Sequence, residues 1–173
     1  PVVPEVRTTL DVDCIIDVIS LSDYHQLENK LRKLGFTQSI NEKIICRWRY
    51  DDAMLDVMPT NENILGFGNR WYKEAVKHAI AYSLRDDLTV KSISAPYFIA
   101  TKLEAFKGRG KNDYLSSHDF EDIITLIDGR LEIEMEIISS KEDIKRYLQS
   151  HFEIMLEDKN LMSYFPGYLN YGP

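Results

Sequence analysis

The chain has 173 residues, 44% of them hydrophobic and 28% charged. That balance excludes collagen-like, low-complexity and disordered classes and points to one domain, or two small ones sharing a core. Lys and Arg number 21 against 28 Asp and Glu, a net charge of −7, which argues against broad, charge-driven coating of DNA but not against a local basic groove.

Leu10 to Val18 (LDVDCIIDV) alternates Leu10, Val12, Cys14, Ile16 and Val18 on one face, which predicts a strand with that face in the core. Ser20 and Asp23 form a capping box ahead of a helix carrying Tyr24, Leu27, Leu31 and Leu34, and Gly35 ends it. Ile44, Cys46, Trp48 and Tyr50 alternate up to Asp51-Asp52, after which Ala53–Met58 resumes, a hairpin pattern. A loop over 59–70 leads to a short helix near Tyr72–His78 and two short strands, Ile80–Leu84 and Leu88–Ile93. Helices follow at Ala95–Phe106, His118–Asp128, Leu131–Ile138 and Lys141–Met155. The basic stretch Lys107–Asp113 (KGRGKND) is predicted as a flexible loop, either simply mobile and solvated or, if it lies near an active site, able to touch an RNA backbone. The tail from Ser163 is expected to wrap the surface. The fold class is therefore α+β: a mixed-sheet α/β core over residues 1–93 and a helical region over 94–173.

Two cysteines, Cys14 and Cys46, are too few for a disulfide framework and fit reduced core thiols of a cytoplasmic protein. No apolar run approaches a membrane span, and no signal-peptide pattern opens the chain. His25, His78, His118 and His151 are scattered without zinc-ligand spacing. Trp48 alternates with core residues and reads as packing. Trp71 and Tyr72 follow Gly68 and Asn69 and are expected near the surface, too little for a nucleic-acid stacking platform.

The chemistry lies in the carboxylates. Asp11 and Asp13, two apart on a strand, project to the same face, opposite Val12, Cys14 and Ile16. Asp56 sits between Leu55 and Val57 on a later strand. If that strand neighbours the first, the three acids converge within about 4–7 Å, the oxygen-rich setting that Mg²⁺ prefers and that two-metal phosphoryl transfer uses. The alternative is that Asp11, Asp13 and Asp17 form the solvated face of an amphipathic strand. Lys102 lies at the edge of the stripe Ile99, Leu103, Phe106, where it either reaches a phosphate or snorkels. Asp119 follows Ser116 by three residues, so a capping box offers it a structural role.

Arg7 with the string RTTLDVD resembles the R-x-T-x-D-x-D signature of nucleotidyltransferases of the AbiEii/AbiGii type, whose core is like that of DNA polymerase β. The likeness continues through Asp56, the Lys102 helix (IATKLEAF) and the Asp119/Asp122 helix (HDFEDI), over roughly residues 7 to 130. It implies a metal-dependent enzyme that moves a nucleoside monophosphate from an NTP to a hydroxyl. The acceptor would be a tRNA 3′ end or a protein, and the setting a toxin paired with an antitoxin, or phage defence. On this resemblance Asp11, Asp13 and Asp56 hold Mg²⁺ or Mn²⁺, and Arg7, Lys102 and Asp119 bind the nucleotide, with Asp119 contacting Lys102 or orienting the nucleotide.

The family's Gly-Gly or Gly-Ser helix start, which would hold the phosphates upstream of the acids, has no counterpart in these residues. The expectation is that residues 1–173 belong to a longer protein, that Pro1–Val6 arrives from that helix, and that the 173 residues alone bind Mg²⁺-NTP weakly and transfer little. A non-catalytic nucleotide- or partner-binding protein of the same fold is the alternative. A restriction-type nuclease is disfavoured, because no acidic-x-Lys pattern follows Asp56.

Overall fold

The computed structural model describes residues 11–39, 44–110 and 113–164. Arg7, the Pro1–Val6 loop, Leu10, Lys111 and the tail beyond Tyr164 lie outside the described residues. The architecture is mixed α and β, in two compact units that divide between Lys77 and His78. Among the described residues no helix is long and apolar enough to cross a membrane.

The first unit holds strand β1 (Asp11–Ile16), helix α1 (Leu21–Lys33), strands β2 (Arg47–Tyr50) and β3 (Ala53–Pro59), and helix α2 (Tyr72–Lys77). The strands form a three-stranded sheet in the order β1-β3-β2, with β1 parallel and β2 antiparallel to the central β3. The capping box forms as the sequence predicts: the Ser20 hydroxyl accepts from the Asp23 N–H, and the Asp23 carboxylate accepts from the Ser20 N–H. Gly35 ends the α1 region at a φ of +94°, and a side chain there would also meet the Tyr50 ring. Asp51 carries the one positive φ of the β2–β3 turn, 49°, a conformation Asp tolerates better than most residues.

One face of this sheet is apolar. Trp48 and Val57 are buried against Leu31 of α1, with Ile16, Leu27, Phe36 and Leu55 around them. Val12 does not join this core. It is 61% exposed, because on edge strand β1 it is Ile16, at the far end, that packs against the α1 cluster. Strand β2 starts at Arg47 rather than Ile44, and Ile44 and Ile45 are exposed. Trp71, expected near the surface, is buried, with the Arg70 guanidinium 5.3 Å over its ring.

The second unit contains a hairpin, β4 (Ile80–Arg85) and β5 (Leu88–Ser92), and helices α3 (Ala95–Arg109), α4 (His118–Gly129), α5 (Ile133–Ile138), α6 (Glu142–Glu157) and α7 (Lys159–Tyr164). Helix α3 is central, and α4, α5 and α6 pack on it. Ile99, Leu103 and Phe106 of α3 are buried with Phe120 and Ile123 of α4 and Ile144 and Leu148 of α6. Phe106, Tyr114 and Phe120 add an aromatic trio with ring centres 5.0–5.6 Å apart, tilted about Phe106 and edge-to-face between Tyr114 and Phe120. Helix α3 runs to Arg109, so Lys107, Gly108 and Arg109 are helical rather than part of a flexible loop.

Candidate functional site

The opposite face of the three-stranded sheet is charged. Parallel pairing sets Asp13 beside Asp56 and Asp11 beside Met54. Neighbours in register share a face, as do residues two apart, so Asp11, Asp13 and Asp56 all project away from the core formed with α1. Antiparallel pairing sets Arg47 directly across from Asp56, and Arg49 across from Met54, which puts both arginines on this charged face as well. The Tyr72 hydroxyl of α2 donates to the Met58 sulfur at 3.0 Å on the same side of β3, so α2 borders the face at the Met58 end.

Arg47 is the residue that sequence reasoning missed. Its Nε donates to Oδ1 of Asp56 at 2.8 Å and its Nη2 to Oδ2 of Asp56 at 2.7 Å, a two-point clamp. The same Nη2 donates to Oδ2 of Asp11 at 2.8 Å. Two carboxylates from different strands thus meet on one nitrogen, and their oxygens are no farther apart than the sum of those two short distances. The side chains of Arg47 and Asp56 are 15% and 11% exposed, whereas Asp11 is 37% exposed. Charge-assisted, two-point hydrogen bonds of this kind are the strong ones. The cluster is closed toward Asp56 and open to water at Asp11.

A signal for Arg47 was present in the sequence. Arg47 and Arg49 alternate with Cys46, Trp48 and Tyr50, which puts them off the core side. A two-residue turn centred on Asp51-Asp52 pairs Tyr50 with Ala53 and, counting back, Arg47 with Asp56.

The carboxylates are chemically suitable for Mg²⁺ or Mn²⁺, which favour oxygen ligands at about 2.1 Å in an octahedron. Their arrangement is not. The Arg47 nitrogen sits on both Asp11 and Asp56, where a bridging cation would go. Among the described residues no three His, Cys, Asp or Glu side chains are arranged to hold a metal ion. In this conformation the acidic face does not fit the metal that the resemblance implies.

Behind the sheet, on the core side, Cys46 is buried and Cys14 half-buried. Burial above all, with the Asp56 charge next, pushes the Cys46 thiol up to about 11. Burial, followed by the Glu28 charge, pushes the Tyr24 hydroxyl up to about 12, and that hydroxyl donates to the Val57 carbonyl. Neither cysteine is poised as a nucleophile.

The second unit carries its own charge cluster. Lys102 of α3 donates to Asp122 at 2.6 Å and lies 3.7 Å from Asp119. Asp119 is itself clamped by Arg109, Nε and Nη2 each at 2.7 Å. Burial alone would raise the Asp119 carboxyl, but the Arg109 hydrogen bonds and charge, helped by Lys102, hold it below the usual carboxylate range. The structure thus brings Lys102, Asp119 and Asp122 together. It assigns the α4 cap to a different serine than expected: the Ser117 hydroxyl accepts from the Phe120 N–H at 3.4 Å. Asp119 is no partner of Ser116, because its carboxylate is committed to Arg109. Of the other basic residues of the expected loop, Lys107 pairs with Glu104.

Searched against protein-family models and against the curated proteins, the chain matches none.

Proposed function

We propose that the chain carries the acidic core of a nucleotidyltransferase, of the kind the AbiEii/AbiGii resemblance suggests, moving a nucleoside monophosphate from an NTP to a hydroxyl of tRNA or protein. One observation carries this reading. Strand register puts Asp13 next to Asp56, with Asp11 two residues away, so that three carboxylates share the sheet face opposite the core formed with α1. An acidic face of that kind suits a hydroxyl acceptor, whose proton a carboxylate takes as the oxygen attacks. In the other unit, Lys102 is a phosphate-binding candidate, and Asp119 and Asp122 hold its ammonium. The toxin setting, with an antitoxin as partner, is part of the same proposal and rests on the resemblance alone. Mg²⁺ or Mn²⁺, the expected cofactor, does not fit while Arg47 bridges Asp11 and Asp56.

That bridge is the specific observation behind a second reading, a non-catalytic protein of the same fold that binds a nucleotide or a partner. Incubating the natural full-length protein with each labelled NTP, total tRNA and protein, beside a thermal melt, separates the two. Under the first reading Asp13→Asn abolishes transfer and leaves the melting temperature unchanged or slightly higher, since a repulsive pair is relieved. Unchanged transfer with a lowered melting temperature would make Asp13 structural. A wild-type protein that binds NTP but never transfers supports the second reading.

A further inference from the structure

We propose that strand β5 is a docking edge for a second copy of this chain. Two β5 strands pair antiparallel about a two-fold axis at Thr89, and two hairpins become one four-stranded sheet. Nothing in this pairing depends on the transferase reading.

Strands β4 and β5 form a sheet of two, and among the described residues no third strand pairs with either. Every residue of both strands is exposed. A two-stranded hairpin is marginal by itself; a third strand or a helix packed on its face is what normally steadies it. This hairpin is also one-sided. Register and alternation put Ile80, Tyr82, Leu88 and Val90 on one face, and Ala81, Ser83, Thr89 and Lys91 on the other.

The two edges are not equivalent. The ladder skips Leu84 between Ser83 and Arg85, so the irregularity lies on β4, whereas Leu88 to Ser92 of β5 are paired without a break. A bulged edge resists a further strand, and an even one accepts it.

Charge selects the occupant. The run Asp87-Leu88-Thr89-Val90-Lys91 complements its own reverse. With the axis at Thr89, Thr89 meets Thr89 of the second copy, Leu88 meets Val90, and Asp87, the last residue of the turn, comes alongside Lys91. Threonine pairs and opposite charges are favourable across antiparallel strands, and the two-fold axis makes each unlike pair occur twice. Both charges are free to engage. Among the described residues Lys91 makes no ion pair, and Asp87 makes a loose one with Arg85, 3.7 Å apart with side chains 82% and 71% exposed. A lysine on an open edge ordinarily repels another strand. It does so here in the competing register about Lys91, which sets two ammonium groups side by side, and in the register about Val90 it meets only Thr89. The register about Thr89 neutralises it.

Sedimentation equilibrium of the full-length protein tests the proposal. Wild type should show a reversible monomer–dimer equilibrium. Lys91→Glu should weaken it about ten-fold, because both symmetric pairs become repulsive, and adding Asp87→Lys should restore it. Both positions are exposed, so circular dichroism should not change. The register is read by cysteine cross-linking with copper phenanthroline. Thr89→Cys should give a disulfide dimer, since opposed residues have Cα atoms about 4.5–5.5 Å apart. Val90→Cys, whose two copies are offset by two residues, should stay at the background that Cys14 and Cys46 set in wild type. Wild-type protein that remains monomeric at about 100 μM overturns the proposal. So does a dimer that Lys91→Glu leaves unchanged or that the double variant fails to restore. Should Lys91→Glu not fold, the cross-linking decides: Thr89→Cys at background, or Val90→Cys linking as readily as Thr89→Cys, overturns the proposal as well.

Discussion

Each compact unit holds one nearly buried aspartate in the fork of an arginine. Asp56 is clamped by Arg47 in the first unit and Asp119 by Arg109 in the second, with hydrogen bonds of 2.7–2.8 Å in both. The surroundings differ. Asp119 and Asp122 face Lys102 and Arg109, and Arg109 is 75% exposed. On the sheet, the clamping arginine is itself mostly buried. The half-open cluster ties α4 to α3. A sealed cation depends on its partner, because removing one member of a buried pair leaves an uncompensated charge.

The contrast breaks first on stability. Asp56→Ala removes both acceptors of the clamp and leaves the buried Arg47 with Asp11 as its remaining described acceptor, and should cost about 3 kcal/mol in a denaturant melt. Asp119→Ala should cost about 1–2 kcal/mol, since Arg109 simply returns to water and Lys102 keeps Asp122. A larger loss for Asp119→Ala than for Asp56→Ala would reverse the assignment of the sealed cluster.

The two units should also weaken at opposite ends of the pH scale. The Cys46 thiol is raised to about 11 in the folded protein. A raised value contributes stability that is complete below the unfolded thiol value, about 8.5, and is lost as pH climbs through the folded one. Asp119 is lowered, so its contribution is present above about pH 4 and is lost as pH falls through the folded value. The readouts separate naturally. Both tryptophans, Trp48 and Trp71, lie in the first unit, while most of the helix lies in the second. Thermal melts by tryptophan fluorescence should lose stability between about pH 8.5 and 11, on the order of 2 kcal/mol at the upper end. Melts by far-ultraviolet circular dichroism should lose it below about pH 4. A fluorescence melt unchanged up to pH 11 would mean that the thiol is not held in the core.

How far this could be read in advance depended on the kind of information each residue needed. Parity along one strand is local, so the shared face of Asp11 and Asp13 was legible, as were the Ser20 box and the turn at Asp51-Asp52. Asp56 required the further assumption that its strand lies beside β1. Arg47 required turn arithmetic across two strands and a willingness to look for a cation among acids. Val12 and Trp71 failed for a different reason. Their exposure depends on which strand is outermost and where α1 and α2 lie, and neither alternation nor flanking residues encode that. The end of α3 was obscured by Gly108 and Gly110, which punctuate a sequence that tertiary contact with Asp119 keeps helical through Arg109.

The smallest test concerns the two helix caps, one in each unit. Ser20 and Asp23 bond reciprocally, satisfying two free N–H groups at the start of α1, and Ser20→Ala should cost about 1 kcal/mol. Helix α4 has only the longer Ser117 bond at 3.4 Å, with no return bond from a side chain at the third position, so Ser117→Ala should cost about 0.5 kcal/mol. Ser116→Ala should be nearly silent, although S-x-x-D marks it as the cap, because Asp119 is turned toward Arg109 rather than back along the helix start. Circular dichroism melts of the three variants rank them. A Ser116→Ala loss as large as that of Ser20→Ala would mean that Ser116, through its bonds to the exposed Asp113 carboxylate or through a capping bond, does more for the start of α4 than Ser117.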